Sequence, residues 1–89
     1  MELEQIRIFL AVAAEGSFSE AARKLYISHS TTSRAVAALE DELGVKLIDR
    51  NDNRVTGLTP AGELMRVRGA ELLRLAEKLG ADCAAARGA

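Results

Sequence analysis

His29, Ser30, Thr31, Ser33 and Arg34 crowd an imidazole, three hydroxyls and a guanidinium into less than two helical turns, and no carboxylate follows until Glu40, Asp41 and Glu42. Such a set has little to offer a covalent reaction and much to offer recognition. A guanidinium forks onto O6 and N7 of guanine, a contact worth roughly 1–3 kcal/mol against a wrong base. An imidazole donates or accepts at a base edge or a phosphate. Thr31 and the amides near Ser30 suit a phosphate, because the first turn of a helix attracts anions. The chemistry implied is hydrogen-bonded reading of duplex DNA, with Arg34 as the principal reader and His29, Ser30 and Ser33 beside it. The bland alternative for Arg34 is an ion pair within its own helix. Glu40 and Asp41 stand six and seven positions on, beyond the three- or four-residue reach of such pairs.

Other candidates flank this set. Ser17 is a helix cap first and a phosphate neighbour second. Arg23 and Lys24 lie on the preceding segment, which crosses the DNA backbone in helix-turn-helix docking. Arg50, Asn53 and Arg54 occupy a turn-rich stretch. Its two arginines either meet phosphate or the minor groove, or pair with Asp49 and Asp52. Against catalysis, there is no visible nucleophile–base pairing, no His-x-x-x-His, no Cys-x-x-Cys and no glycine-rich phosphate loop. One histidine and one cysteine, Cys83, complete neither a zinc set nor a disulfide, so no metal or cofactor is expected and a reducing cytoplasm fits.

The formal net charge is −1, whereas a binder working by bulk attraction to phosphate is usually basic. Even residues 17–54 are neutral: Arg23, Lys24, Arg34, Lys46, Arg50 and Arg54 stand against Glu20, Glu40, Asp41, Glu42, Asp49 and Asp52. DNA reading must therefore rest on a few placed groups. The 89 residues, 48% hydrophobic and 28% charged, allow one small soluble domain whose core is modest enough for self-association to help. No apolar run approaches the roughly 18 residues of a membrane span, and the acidic start Met1-Glu2-Leu3-Glu4 argues against a signal peptide.

The elements that must position these groups follow from punctuation and period. Residues 2–14 read as a helix with Leu3, Ile6, Phe9, Leu10 and Ala13 on its apolar face and Gly16 as its stop. Ser17-Phe18-Ser19-Glu20 matches a capping box opening a second helix, whose inner face is Ala21, Ala22 and Leu25. Tyr26-Ile27-Ser28 is the turn. Ser28 then caps a helix that runs to Gly44, with Thr32, Val36, Leu39 and Leu43 inward. The buried Thr32 hydroxyl needs a backbone acceptor one turn back. Val45, Leu47 and Val55 suit short strands around the turn Asn51-Asp52-Asn53, a two-stranded wing closed by Leu58.

Thr59 and Pro60 open a last helix, predicted to run to about Arg87. Met65, Gly69, Leu72, Ala76, Leu79, Cys83 and Ala86 alternate steps of four and three, a heptad seam. So small a core cannot cover that seam, which predicts a dimer with Cys83 packed in the interface. The expected division is residues 1–58 as a winged helix-turn-helix, 59–87 as the dimerisation helix, and 88–89 as a frayed tail.

From Glu2 to about Leu64 the chain resembles the N-terminal DNA-binding domain of LysR-type transcriptional regulators. The resemblance is carried, in order, by Leu3 to Phe9, Gly16-Ser17-Phe18, Ala21 to Leu25, Ser28 with Ser33-Arg34, Leu39-Glu40, Leu43-Gly44-Val45, Leu47 with Arg50, and Leu58 to Gly62. It implies a mainly α winged helix-turn-helix with a linker helix after Pro60, a dimer on an inverted-repeat operator, and tetramers at full length. It also implies a small-molecule effector sensed by a two-lobed domain that this chain lacks. Ile48 replaces the usual phenylalanine, His29-Ser30 replaces the frequent Gln-Pro, and the wing is one residue longer. The helix start should therefore set this chain's own operator preference. Two rivals are the DNA-binding part of another winged-helix regulator, of the molybdate-responsive type, and a helical protein-interaction module.

Overall fold

The computed structural model describes residues 1–51 and 54–88, with the side chain of Arg54 outside that description. In chain order the elements are α1 (Leu3–Glu15), α2 (Phe18–Leu25), α3 (His29–Leu43), β1 (Ile48–Asn51), β2 (Arg54–Leu58) and α4 (Pro60–Ala86). α1 is the central rod, packing against α2, α3 and α4. For that reason it buries more of its circumference than one stripe. Ile6, Ile8, Phe9 and Val12 are buried, while Leu3, expected inward, is exposed and Leu10 and Ala13 only half-buried.

Local punctuation behaves as its chemistry demands. Gly16 and Gly44 stop α1 and α3 in the left-handed conformation, each at φ 69°. The Ser17 hydroxyl accepts the Glu20 amide at 3.1 Å. The reciprocal half of the expected box is absent among the described residues; the Glu20 carboxylate lies 3.3 Å from Arg23 instead. Between α2 and α3 the chain reverses at Tyr26, which adopts φ 59° without being glycine, and its ring is 95% exposed. In α3, Thr32, Val36 and Leu39 are buried as expected, and the Thr32 hydroxyl donates to the Ser28 carbonyl at 3.0 Å. Leu43 is not buried: it stands exposed on the last turn, on the wall of an open cleft shared with Met1, Ile6 and Leu47.

β1 and β2 pair antiparallel, Ile48 opposite Leu58 and Asn51 opposite Arg54, with a register shift between Asp49 and Arg50. That shift leaves Thr56 as the extra residue of a bulge, because Asp49 faces Gly57 while Arg50 faces Val55. Val45 and Leu47 precede the strands rather than forming them, Val45 exposed and Leu47 buried. The Thr59 amide still donates to the Leu47 carbonyl at 3.1 Å, in register with the Ile48–Leu58 pair, so the ladder contact reaches one residue beyond the strands themselves.

Thr59 caps α4 by accepting the Gly62 amide at 3.0 Å. The helix starts so close to residue 47 that a Cβ on Gly62 would stand 1.9 Å from the Leu47 carbonyl oxygen. Further along, a Cβ on Gly69 would meet the Ile6 side chain at 2.9 Å. The front of the expected dimer seam thus lies against the protomer's own core. Gly69 is buried within its own protomer, Met65 packs half-buried against the same core, and Leu73, off the seam, is buried too. The rest of the seam is free: Leu72, Leu79 and Cys83 are exposed, Ala76 is half-buried, and Leu75 adds a further exposed leucine.

Candidate nucleic-acid interface

The leading turn of α3 is organised by Ser28. Its hydroxyl accepts the Thr31 amide at 3.0 Å, donates to the Thr31 hydroxyl at 2.7 Å and lies 3.2 Å from that of Ser30. Three hydroxyls thus ring the positive end of a 15-residue helix whose first turn holds no acid. His29 is exposed, with Nδ1 3.5 Å from the Ser33 hydroxyl one turn on. Arg34 is also exposed and enters no ion pair or hydrogen bond among the described residues, so its fork is free.

A junction that the sequence reading passed over joins this turn to the wing. Phe18, first residue of α2, is 2% exposed, and its ring centroid lies 6.2 Å from that of His29. The Arg50 guanidinium stands 4.7 Å from the same centroid, in cation–π range. Arg50 thus reaches back from β1 onto an aromatic platform. Its guanidinium edge, carrying the donors, remains available, since Arg50 is exposed. The Phe18 ring therefore brings His29 of α3 and Arg50 of β1 to one junction, with Ser30 and Thr31 following His29 in the same first turn. Ser33 and Arg34 follow one turn along α3.

Arg23 stands apart from that junction. It is exposed and paired with Glu20, while Lys24 lies 3.5 Å from Glu15. Ser17 is half-buried in its capping role. Asn53 lies outside the described residues, and so does the Arg54 side chain, although the Arg54 backbone opens β2.

Two residues were missed, for different reasons. Phe18 reads as an ordinary apolar residue, and nothing local marks it as a platform for a cation 32 positions away. Glu40, one of the three acids at the far end of α3, is only 4% exposed. Its Oε2 accepts the amides of Leu47 at 2.8 Å and Ile48 at 3.3 Å. A signal did exist: Glu40 follows Val36 by four, which places it on the inward face of α3.

Residues 3–63 match the family described as bacterial regulatory helix-turn-helix protein, lysR family. The HTH-type transcriptional regulator ClcR of Pseudomonas putida is 43% identical over 77 residues, covering 86% of this chain and 26% of that protein. The HTH-type transcriptional regulator BsdA of Bacillus subtilis is 40% identical over 73 residues, 82% of this chain and 25% of that one. The chain thus spans about a quarter of the length of these relatives. Among solved structures, the DNA-binding domain of CbnR in complex with DNA superimposes with a TM-score of 0.92 at 36% identity, covering 97% of this chain and 98% of that one. The DNA-binding domain of BenM on the catB site 1 DNA gives 0.86 at 36% identity, covering 93% and 91%.

Proposed function

The chain belongs to the lysR family of bacterial regulatory helix-turn-helix proteins, and from that premise we propose that it is a sequence-specific DNA-binding domain of transcription regulation, acting as a homodimer on an inverted-repeat operator. The observation that carries the reading is the Phe18 junction, which puts the acid-free end of α3 and the wing cation Arg50 on one face. The first half of α3 enters the major groove, where Arg34, Ser33 and His29 reach base edges. Ser17, Arg23, Ser30 and Thr31 meet phosphates, and Arg50, Asn53 and Arg54 hold the flanking backbone. Arg23 gives up only an exposed pair with Glu20, an interaction of about 0–1 kcal/mol.

Two recognition helices fit successive major grooves when their centres stand about 34–36 Å apart. α4, on the order of 40 Å long by its rise per residue, is the element that joins the copies. The exposed stripe of Leu72, Leu75, Leu79 and Cys83, with Ala76 beside it, supports that role. Residues 1–58 form the reading unit and 59–87 the joining helix, with 88–89 as its tail, and the front of α4 is shared between the two units. A small-molecule effector, and assembly into tetramers, belong to the additional length that the relatives carry. The work is binding rather than catalysis, and it takes place in the cytoplasm, where the DNA is.

Selection from random duplex DNA, followed by anisotropy titration on the winning sequence, tests this reading. Arg34→Ala should cost roughly 1–3 kcal/mol, about a five- to 150-fold loss, and relax the preference at one base pair per half-site. Affinity should fall steeply with added salt. An Arg34→Ala chain that keeps both affinity and sequence preference removes the recognition-helix reading. A concentration-independent monomer at tens of micromolar in sedimentation removes the dimer.

A further inference from the structure

Glu40 is an expensive residue. Its carboxylate is buried at the C-terminal end of α3, where the helix dipole is negative, and one of its oxygens, Oε1, has no hydrogen-bond partner among the described residues. The closest cation is Lys46, with Nζ at 3.8 Å on an exposed side chain. A fold seeking stability alone has cheaper ways to fill that space. What the carboxylate does is specific. Oε2 takes the amides of Leu47 and Ile48, while the Glu40 backbone carbonyl takes those of Gly44 at 2.9 Å and Val45 at 3.2 Å. The whole connection from recognition helix to wing is thus folded around one residue. On its far side the Thr59 hydroxyl donates to the Lys46 carbonyl at 2.6 Å and the Thr59 amide to that of Leu47 at 3.1 Å.

We propose that Glu40 is a positioning residue for DNA binding: its carboxylate fixes the start of β1 relative to α3, and so fixes where Arg50 meets DNA when α3 is seated in the groove. Ile48 is the first residue of β1 and Arg50 the third, so the clamp lies within two residues of the cation it aims. The Phe18 ring supplies the second constraint, holding the guanidinium itself. The inference rests on the wing contact proposed above, and it adds that this contact is pre-set in the free protein rather than found on binding.

The test uses the 89-residue chain and its Glu40→Gln, Glu40→Asp, Arg50→Ala and Glu40→Asp/Arg50→Ala variants. Each is titrated with a labelled duplex selected from random DNA by the unaltered chain, below its unfolding temperature. Gln keeps the reach and an acceptor oxygen for both amides without the charge, whereas Asp keeps the charge but is one methylene short. Glu40→Gln should therefore bind within about twofold of the unaltered chain, and Glu40→Asp should lose roughly tenfold, the scale of a broken charge-assisted hydrogen bond. Amide exchange at Leu47 and Ile48 should quicken in Glu40→Asp, with the amides of the first half of α3 unchanged. The double variant should bind no more weakly than Arg50→Ala alone, because a misplaced wing without its cation has nothing further to lose. Losses that multiply in the double variant, or a Glu40→Asp chain that binds undiminished while Arg50→Ala does not, overturn the positioning role. An Arg50→Ala chain that binds as well as the unaltered one overturns the wing contact itself, and the proposal with it.

Discussion

The two halves of α4 obey opposite rules. From Pro60 to Leu73 the helix is pressed closely against its own protomer: Gly62 admits only hydrogen against the Leu47 carbonyl, and a Cβ at Gly69 would have to displace the Ile6 side chain. From Glu77 to Ala86 every residue is exposed, and Gly80 has open space around it. The same residue type is thus a requirement in the front half and a cost in the rear half. The difference teaches where the helix stops serving its own fold and offers an uncovered apolar face to the proposed second chain.

The contrast can be broken most forcefully at Gly62. Gly62→Ala drives a Cβ into backbone, which cannot rotate away, and should cost about 3 kcal/mol; thermal unfolding followed by circular dichroism measures it, and an unchanged transition would dissolve the distinction. Beyond Leu73, Leu75→Glu and Leu79→Glu should leave the unfolding of a dilute sample in place. Each should weaken self-association at least about tenfold in sedimentation, a change near 1.4 kcal/mol. Gly80→Ala is the mildest and reverses sign: relief of the glycine penalty in an exposed helix interior should stabilise the chain by about 0.5–1 kcal/mol. A destabilised Gly80→Ala chain would mean that the rear half is as closely fitted as the front.

What could be read from the sequence follows the same division between local and distant causes. Ser17, Ser28 and Thr59 each cap the helix that their hydroxyl announces, and Gly16, Gly44 and Pro60 bound elements where backbone geometry requires. These signals act over four or five residues and need no partner. Leu43 is exposed although period puts it on the apolar side of α3, because period does not say how fully the neighbours close over a given turn. At Met65 and Gly69 the seam meets the protomer's own core, because a heptad does not say whether the covering surface belongs to the same chain. The buried role of Glu40 follows from period, four residues after Val36, but the amides it accepts belong to a connection that only the tertiary fold brings near. Phe18 was invisible as a platform because its cation arrives from a strand that only the tertiary fold brings near.

Tyr26 has a practical consequence. It is the only tyrosine of a chain without tryptophan, and its ring is already 95% in water in the folded state. Tyrosine emission is therefore nearly silent on whether this domain is folded, because unfolding scarcely changes the surroundings of the ring. The same ring sits in the turn between the two helices of the DNA-reading motif, which makes it a built-in optical label for whatever comes to rest against that corner.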